Sequence, residues 1–320
     1  MFTFTMPSLE WQKIKIPKKS GGLRSISIPN DELKEVQRAI LQYLYNNREL
    51  RPSAFAHGFV PNRNTCTGVI RHDRNADVIL CMDIKDFFDN FPVEPIKERL
   101  IASGIGHALV EDILTACMLE GSFPQGSPCS PYLTNIGMFE TDLMISAYAK
   151  KQGFSYSRYA DDITLARLPD ATGELRKHYK FIFHGIETIL KNKLGLRLNH
   201  KKDHEIWLRG SEQRRVTGVV IRKDGLGYNA PKRMRRTQRA ACFNLAKKLE
   251  SQNGVPFSED FAAWQQLYGY VQYFDYIRSY SDEDVAGADP CIQSKPFEYL
   301  CKIFKPEKNV KENEQWKQIA

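Results

Sequence analysis

Two adjacent carboxylates, Asp161 and Asp162, follow Tyr159-Ala160 and lie between two short apolar segments, Phe154 to Ser157 and Ile163 to Ala166. Acids this close repel one another unless cations neutralise them, and they offer the hard oxygen donors that divalent ions such as magnesium take. Taken alone, an Asp-Asp pair is more often an ordinary turn, because Asp tolerates turn geometry. A third acid shifts that balance. The apolar run Val78-Ile79-Leu80-Cys81-Met82 ends in Asp83 and continues as Ile84-Lys85-Asp86-Phe87-Phe88. A strand-end carboxylate and a turn-borne pair, far apart in sequence, can converge on two divalent ions held about 3.5–4 Å apart, which activate an attacking hydroxyl and stabilise a leaving oxygen. Asp83, Asp161 and Asp162 are therefore the candidate catalytic residues and metal ligands.

Positioning such a site needs particular elements. The segments flanking Tyr159 to Asp162 read as two strands joined by a tight turn that aims both acids outward. Val78 to Met82 reads as a buried central strand. Upstream, Lys13 to Ile28 alternates apolar and polar residues around Gly21-Gly22, the pattern of a hairpin with a basic tip. Pro124, Pro128 and Pro131 stiffen the loop holding Gln125 and Gly126; the glycine permits close backbone approach, and Pro131 suits the first turn of a helix. Between Ala230 and Leu249 stand Lys232, Arg233, Arg235, Arg236, Arg239, Lys247 and Lys248 with no acid, interleaved with apolar residues. That is an amphipathic helix with a basic face.

Composition narrows the class. At 320 residues, 42% hydrophobic and 26% charged, the chain can bury a sizeable core. A net charge of +8 and a pI near 9.0 favour a polyanionic partner, since basic surfaces release counterions on binding nucleic acid. No apolar run approaches transmembrane length, and no basic-then-apolar leader opens the sequence. A cytoplasmic protein without membrane attachment is expected. Seven scattered cysteines without Cys-x-x-Cys spacing read as reduced packing residues. His200 and His204 have the spacing of a helical metal pair but fall in a stretch that reads as strand and turn.

The segments Asp83 to Phe88, Pro124 to Pro131 and Tyr159 to Asp162, with His57-Gly58-Phe59-Val60-Pro61 before them and Gly195 to Lys202 after, resemble the palm motifs of reverse transcriptases in order and approximate spacing, over about residues 11–220. The resemblance implies an α+β right-hand polymerase: fingers over 1–75, a palm of antiparallel sheet and helices over 76–210, a junction over 211–229, a mainly helical thumb over 230–305 and a polar tail over 306–320. It puts two magnesium ions, replaceable by manganese, on Asp83, Asp161, Asp162 and the backbone carbonyl of Ile84. It makes Phe88 the ring that excludes a ribose 2′-hydroxyl, and Gln125 a nucleotide contact. Arg24 matches the triphosphate-binding Arg of the fingers hairpin, with Lys18 and Lys19 competing for the Lys role and Lys19 preferred. Lys202 matches the Lys near the departing pyrophosphate, with Lys201 equally available. The basic helix becomes the thumb helix that grips the duplex through Lys232, Arg233, Arg235, Arg236 and Arg239.

Within that family, Val216-Thr217-Gly218 resembles the signature that retron reverse transcriptases carry after the palm, where they engage their own non-coding RNA. Those residues are candidate RNA contacts, and Tyr268, Tyr270, Tyr273 and Tyr276 are split between RNA contact and core. The Asn-Ala-x-x-His element of retron enzymes is incomplete: Gly68-Val69-Ile70-Arg71-His72 keeps only the histidine. A retron enzyme implies a structured RNA partner, priming from an RNA 2′-hydroxyl, deoxynucleoside triphosphates, a bound RNA–DNA product and an accessory effector protein for antiphage defence. The alternatives are a group II-like or phage-exclusion reverse transcriptase with another primer, or a nucleic-acid-binding scaffold without catalysis.

Overall fold

The computed structural model describes residues 2–17, 21–168, 179–207, 213–222, 227–281 and 294–304. An antiparallel hairpin of β1 (Trp11–Pro17) and β2 (Leu23–Pro29) pairs from Trp11↔Pro29 to Pro17↔Leu23, as the alternation around the glycine pair predicts. Asn30 then caps α1 (Asp31–Asn46) by accepting from the Leu33 N–H, and Asp31 and Glu32 complement the positive end of the helix dipole. Leu33, Gln37, Ile40 and Leu44 recur at helical spacing on its buried face.

A short helix α2 (Thr65–Val69) leads to β3 (Val78–Asp83). Four helices follow: α3 (Glu94–Ala102), α4 (His107–Cys117), α5 (Ser130–Gly137), which carries Pro131 in its first turn, and α6 (Phe139–Lys151). Next come β4 (Phe154–Tyr159), β5 (Asp162–Arg167), α7 (Lys180–Leu194) and β6 (His204–Trp207). These strands form an antiparallel sheet of order β4-β5-β3-β6, with β3 inside it. Its side chains divide by parity. Val78, Leu80 and Met82 enter the main core with α1 and α3–α7, whereas Ile79 joins Ala166 and Ile206 in a second cluster on the opposite face. Cover on both faces is why the segment reads as a continuous apolar run and not as an alternating one.

A small sheet of β7 (Arg215–Val216), β8 (Val219–Ile221) and β9 (Tyr228–Asn229) packs into the second cluster. Beyond it, α8 (Lys232–Ser251), α9 (Ser258–Arg278) and α10 (Lys295–Phe304) surround a third cluster that includes Leu249, Trp264, Leu267 and Phe297. Phe274 and Ile277 of α9 reach the second cluster, so the helical unit is seated against the back of the sheet. Among the described residues no helix is long and apolar enough to cross a membrane, and no cysteine forms a disulfide. The polar tail lies outside the described residues.

Candidate active site

The register of β3 with β5 sets Asp83 opposite Asp162, and that of β4 with β5 sets Tyr159 opposite Asp162. Ala160 and Asp161 are therefore a two-residue turn, with Ala160 at φ 53, a region that residues carrying a Cβ seldom adopt. The Ile84 N–H donates to the Asp161 carbonyl at 2.9 Å, tying the turn to the end of β3. Gly58 presses on the same turn: a Cβ there would meet the Ala160 nitrogen at 2.8 Å. Asp83 is buried, Asp161 half-buried and Asp162 exposed.

Burial, then the Asp83 carboxylate, raises the Asp161 carboxyl above its ordinary range, partly offset by Lys202 and Arg24. Loss of hydration at the turn, then the Asp161 and Asp83 charges, push Asp162 up to about 7, although water reaching its exposed side chain tempers that push. This mutual repulsion is what a divalent cation relieves, and the donors are all hard oxygens suited to magnesium. Among the described residues no group of three or more His, Cys, Asp or Glu stands in a ready coordination shell. Asp83 instead faces two other groups: Lys202 Nζ donates to Oδ2 at 2.6 Å and Asn199 Nδ2 to Oδ1 at 3.3 Å. Burial opposes charge on Lys202, but Asp83, Asp161 and Asp162 hold its ammonium above the usual range. Of Lys201 and Lys202, the second is thus the one at the acids.

Arg24, on β2, lies close enough for its charge to act on Asp161. Lys18 and Lys19 lie outside the described residues. Phe87 and Phe91 are buried, while Phe88 is half-buried and packs edge-on to Phe87 at 5.2 Å, leaving Phe88 as the ring with an open side. Gly126 makes a close backbone approach. Its φ is 122, and a Cβ would fall 2.5 Å from the Ser27 carbonyl, so its close approach is to β2. The Ser27 N–H donates to the Gln125 carbonyl at 2.9 Å, which joins the two candidate nucleotide-binding segments.

Some candidate nucleic-acid contacts need correction. Val216 is 2% exposed within the second cluster, so its side chain is core and offers nothing to RNA. Thr217 and Gly218, at φ 45 and 88, form the tight turn between β7 and β8. On α8, Lys232, Arg233, Arg236 and Arg239 are exposed, but Arg235 is half-buried with Nε donating to the Ala230 carbonyl at 3.1 Å. Lys248 is engaged by Glu259 and Asp260. Tyr268 packs against the third cluster and Tyr270 and Tyr273 against the second, leaving Tyr276 exposed. His204 opens β6 and His200 bonds Asp203 and Glu187, so the two do not form a helical pair.

Sequence reasoning missed several supporting groups. Buried Gln37 donates to the Ala116 carbonyl and accepts from Ser127 Oγ, fixing the Gln125 loop from α1. Asn135 Nδ2 donates to the Gly58 carbonyl at 2.8 Å. His72, the surviving member of the incomplete retron element, is buried between Ser155 Oγ and Ser157 Oγ of β4, each at 2.7 Å. A period-2 pair of serines on the outer strand was the available signal.

A family model described as reverse transcriptase (RNA-dependent DNA polymerase) matches residues 16–221. The chain belongs to the reverse transcriptase family. The retron resemblance is borne out as well: the Retron Mx162 reverse transcriptase of Myxococcus xanthus is 31% identical over 264 residues, covering 75% of this chain and 53% of that protein. The Retron Ec86 reverse transcriptase of Escherichia coli is 30% identical over 210 residues, covering 66% of this chain and 62% of that protein. The chain thus spans between about half and two thirds of the length of these relatives. A solved telomerase from Candida albicans, in complex with a TWJ fragment of telomeric RNA, shares 13% identity at a TM-score of 0.50, over 99% of this chain and 68% of that one. That likeness supports the right-hand polymerase α+β fold.

Proposed function

We propose that this retron-type reverse transcriptase copies part of a structured non-coding RNA into single-stranded DNA by two-metal nucleotidyl transfer, primed from an RNA 2′-hydroxyl, within an antiphage defence system that includes an accessory effector protein. The observation that carries the chemistry is the register that brings Asp83 beside the Asp161-Asp162 turn. Asp83, Asp161 and Asp162, with the Ile84 carbonyl, are the residues that would hold magnesium. When bound, two such ions lower the pKa of the attacking hydroxyl and offset charge on the leaving oxygen.

The remaining roles belong to the chain's own side chains. Arg24 and Lys202 bring positive charge to the triphosphate and the departing pyrophosphate, and Phe88 presents its open side to the sugar. In this reading residues 1–75 are fingers, 76–210 palm and 230–305 thumb, with exposed Lys232, Arg233, Arg236 and Arg239 tracking phosphates of the duplex. The names of the curated relatives support the retron part. Sequencing the nucleic acid that copurifies with the protein tests it. One short DNA joined through a 2′ linkage to one RNA is expected; DNA primed otherwise favours a group II-like or phage-exclusion enzyme and sinks the retron reading.

A further inference from the structure

Beneath the Tyr159 to Asp162 turn lies a buried polar group that nucleotidyl transfer does not itself require. Arg158 of β4, 1% exposed, meets Asp142 of α6 with Nε on Oδ1 and Nη2 on Oδ2, both at 2.8 Å. Asp142 also accepts from Tyr156 Oη at 2.7 Å and Ser53 Oγ at 2.6 Å. A buried ion pair is weak support for stability, because apolar side chains of similar volume often fill such a place as well or better. What they cannot supply is a directed donor. The guanidinium is a rigid planar fork, so seating two of its nitrogens on Asp142 fixes where the third points. Nη1 donates to the Ala160 carbonyl at 2.8 Å.

Ala160 is the left-handed residue of the turn, and its carbonyl belongs to the peptide whose nitrogen is that of Asp161. Holding that carbonyl sets the plane of the peptide and hence the direction of the Asp161 Cα–Cβ bond. The following carbonyl, of Asp161, is held by the Ile84 N–H, just past the end of β3. Two donors, one from a buried side chain and one from the backbone just after the central strand, therefore fix consecutive peptides of the turn in a conformation that alanine disfavours.

We propose that Arg158, seated on Asp142, is a positioning residue that locks the Ala160–Asp161 peptide so that the Asp161 carboxylate stays aimed at the cation site it shares with Asp83. The inference rests on the reading of Asp83 and Asp161 as metal ligands. Binding of Mn2+ to the full chain, followed by electron paramagnetic resonance beside thermal unfolding, tests it without recourse to DNA synthesis. Arg158→Lys keeps a cation beside Asp142, but a single ammonium cannot span both carboxylate oxygens and the Ala160 carbonyl. It should bind Mn2+ on the order of tenfold more weakly, the usual cost of removing a group that orients a ligand. Ile113→Ala, in the main core on α4, should lower the melting temperature with Mn2+ affinity unchanged.

If Arg158→Lys does not fold, Asp142→Leu combined with Arg158→Met removes both charges together and should fold with the same loss of affinity. Undiminished affinity in whichever of the two folds overturns the proposal. So does an equal loss in Ile113→Ala, which would mean that any loosening of the core suffices. The underlying metal reading fails in a distinguishable way: unchanged protein and Asp161→Ala/Asp162→Ala would then give the same Mn2+ titration, and the positioning role would fall with the site.

Discussion

Lys202 Nζ stands 2.6 Å from Asp83 Oδ2, in a pair whose lysine side chain is 59% exposed and whose aspartate is 8% exposed. Such a half-open pair contributes no more than about 1 kcal/mol. Lys202→Met should therefore free Asp83 and tighten Mn2+ binding by up to about fivefold, while slowing nucleotide addition by removing charge from the leaving pyrophosphate. Calorimetric titration of Mn2+ checks the first effect. Weaker binding in the variant would show that the lysine supports the cation site instead of competing for it.

The aromatic cluster separates a fold residue from a specificity residue. Phe87→Ala should cost about 3–5 kcal/mol, because the ring is 3% exposed within the main core. Phe88→Val should cost much less and reduce discrimination against ribonucleotides on the order of tenfold or more. Steady-state incorporation of matched deoxy- and ribonucleotides measures both. Altered sugar choice in a folded Phe87→Val protein, with none in Phe88→Val, would move the role from Phe88 to Phe87.

On α8, replacing exposed Arg233, Arg236 and Arg239 with Gln should flatten the log–log salt dependence of duplex binding by roughly 0.9 for each phosphate that is no longer neutralised. The weakening should be blind to sequence. Arg235→Gln should leave that slope nearly unchanged and register as lost stability, because its guanidinium is spent on the Ala230 carbonyl.

Much of the frame was legible in the residues. The continuous apolar run ending in Asp83, the acid pair between two apolar segments and the charge-segregated segment after Ala230 each carry a local signature, and each folds as its period predicts. What was hidden depends on partners supplied by distant segments. Nothing near Arg158 announces Asp142, nothing near Gly126 announces the Ser27 carbonyl, and helical charge counting cannot tell inward Arg235 from outward Arg236. Val216 resembles part of a recognition motif because its neighbours do; only the second cluster, to which distant α2 and α9 also contribute side chains, makes it core.

The post-palm turn gives a further test. Gly218→Ala should cost about 1–2 kcal/mol, since φ is 88 there and a left-handed residue with a Cβ is strained. It should impair generic primer extension along with use of the cognate RNA. Thr217→Ala changes a half-exposed side chain at the same turn and should spare generic extension while weakening cognate synthesis. If both activities fall together in Thr217→Ala, the segment is a structural joint with no part in RNA recognition.

Acid stability should follow two buried histidines. Burial, then Arg63 and Arg71, lowers His57 to about 4, and burial, then Arg71 and His57, lowers His72 to about 3. Both are neutral in the fold but bind protons near pH 6.5 when unfolded. Stability is therefore unaffected by them above pH 6.5, falls as pH drops below 6.5 by up to about 1.4 kcal/mol per pH unit for each, and stops falling below about pH 4 for His57 and about pH 3 for His72. Urea midpoints between pH 7.5 and 4.5 should drop accordingly, and His72→Gln should make the fall shallower. An equally steep fall in that variant would locate the proton uptake elsewhere.

Single-turnover extension of a DNA primer on an RNA template, with deoxynucleotides and magnesium, compares the unchanged protein with Asp161→Asn most directly. The carboxamide keeps the shape of the turn but removes the charge that holds a cation. Extension should fall by on the order of a thousandfold or more, about 4 kcal/mol or more of lost transition-state stabilisation, while RNA binding and circular dichroism stay unchanged. Extension by the folded variant within about tenfold of the unchanged protein, a difference of only about 1.4 kcal/mol, would contradict the assignment of the Asp83–Asp161–Asp162 site.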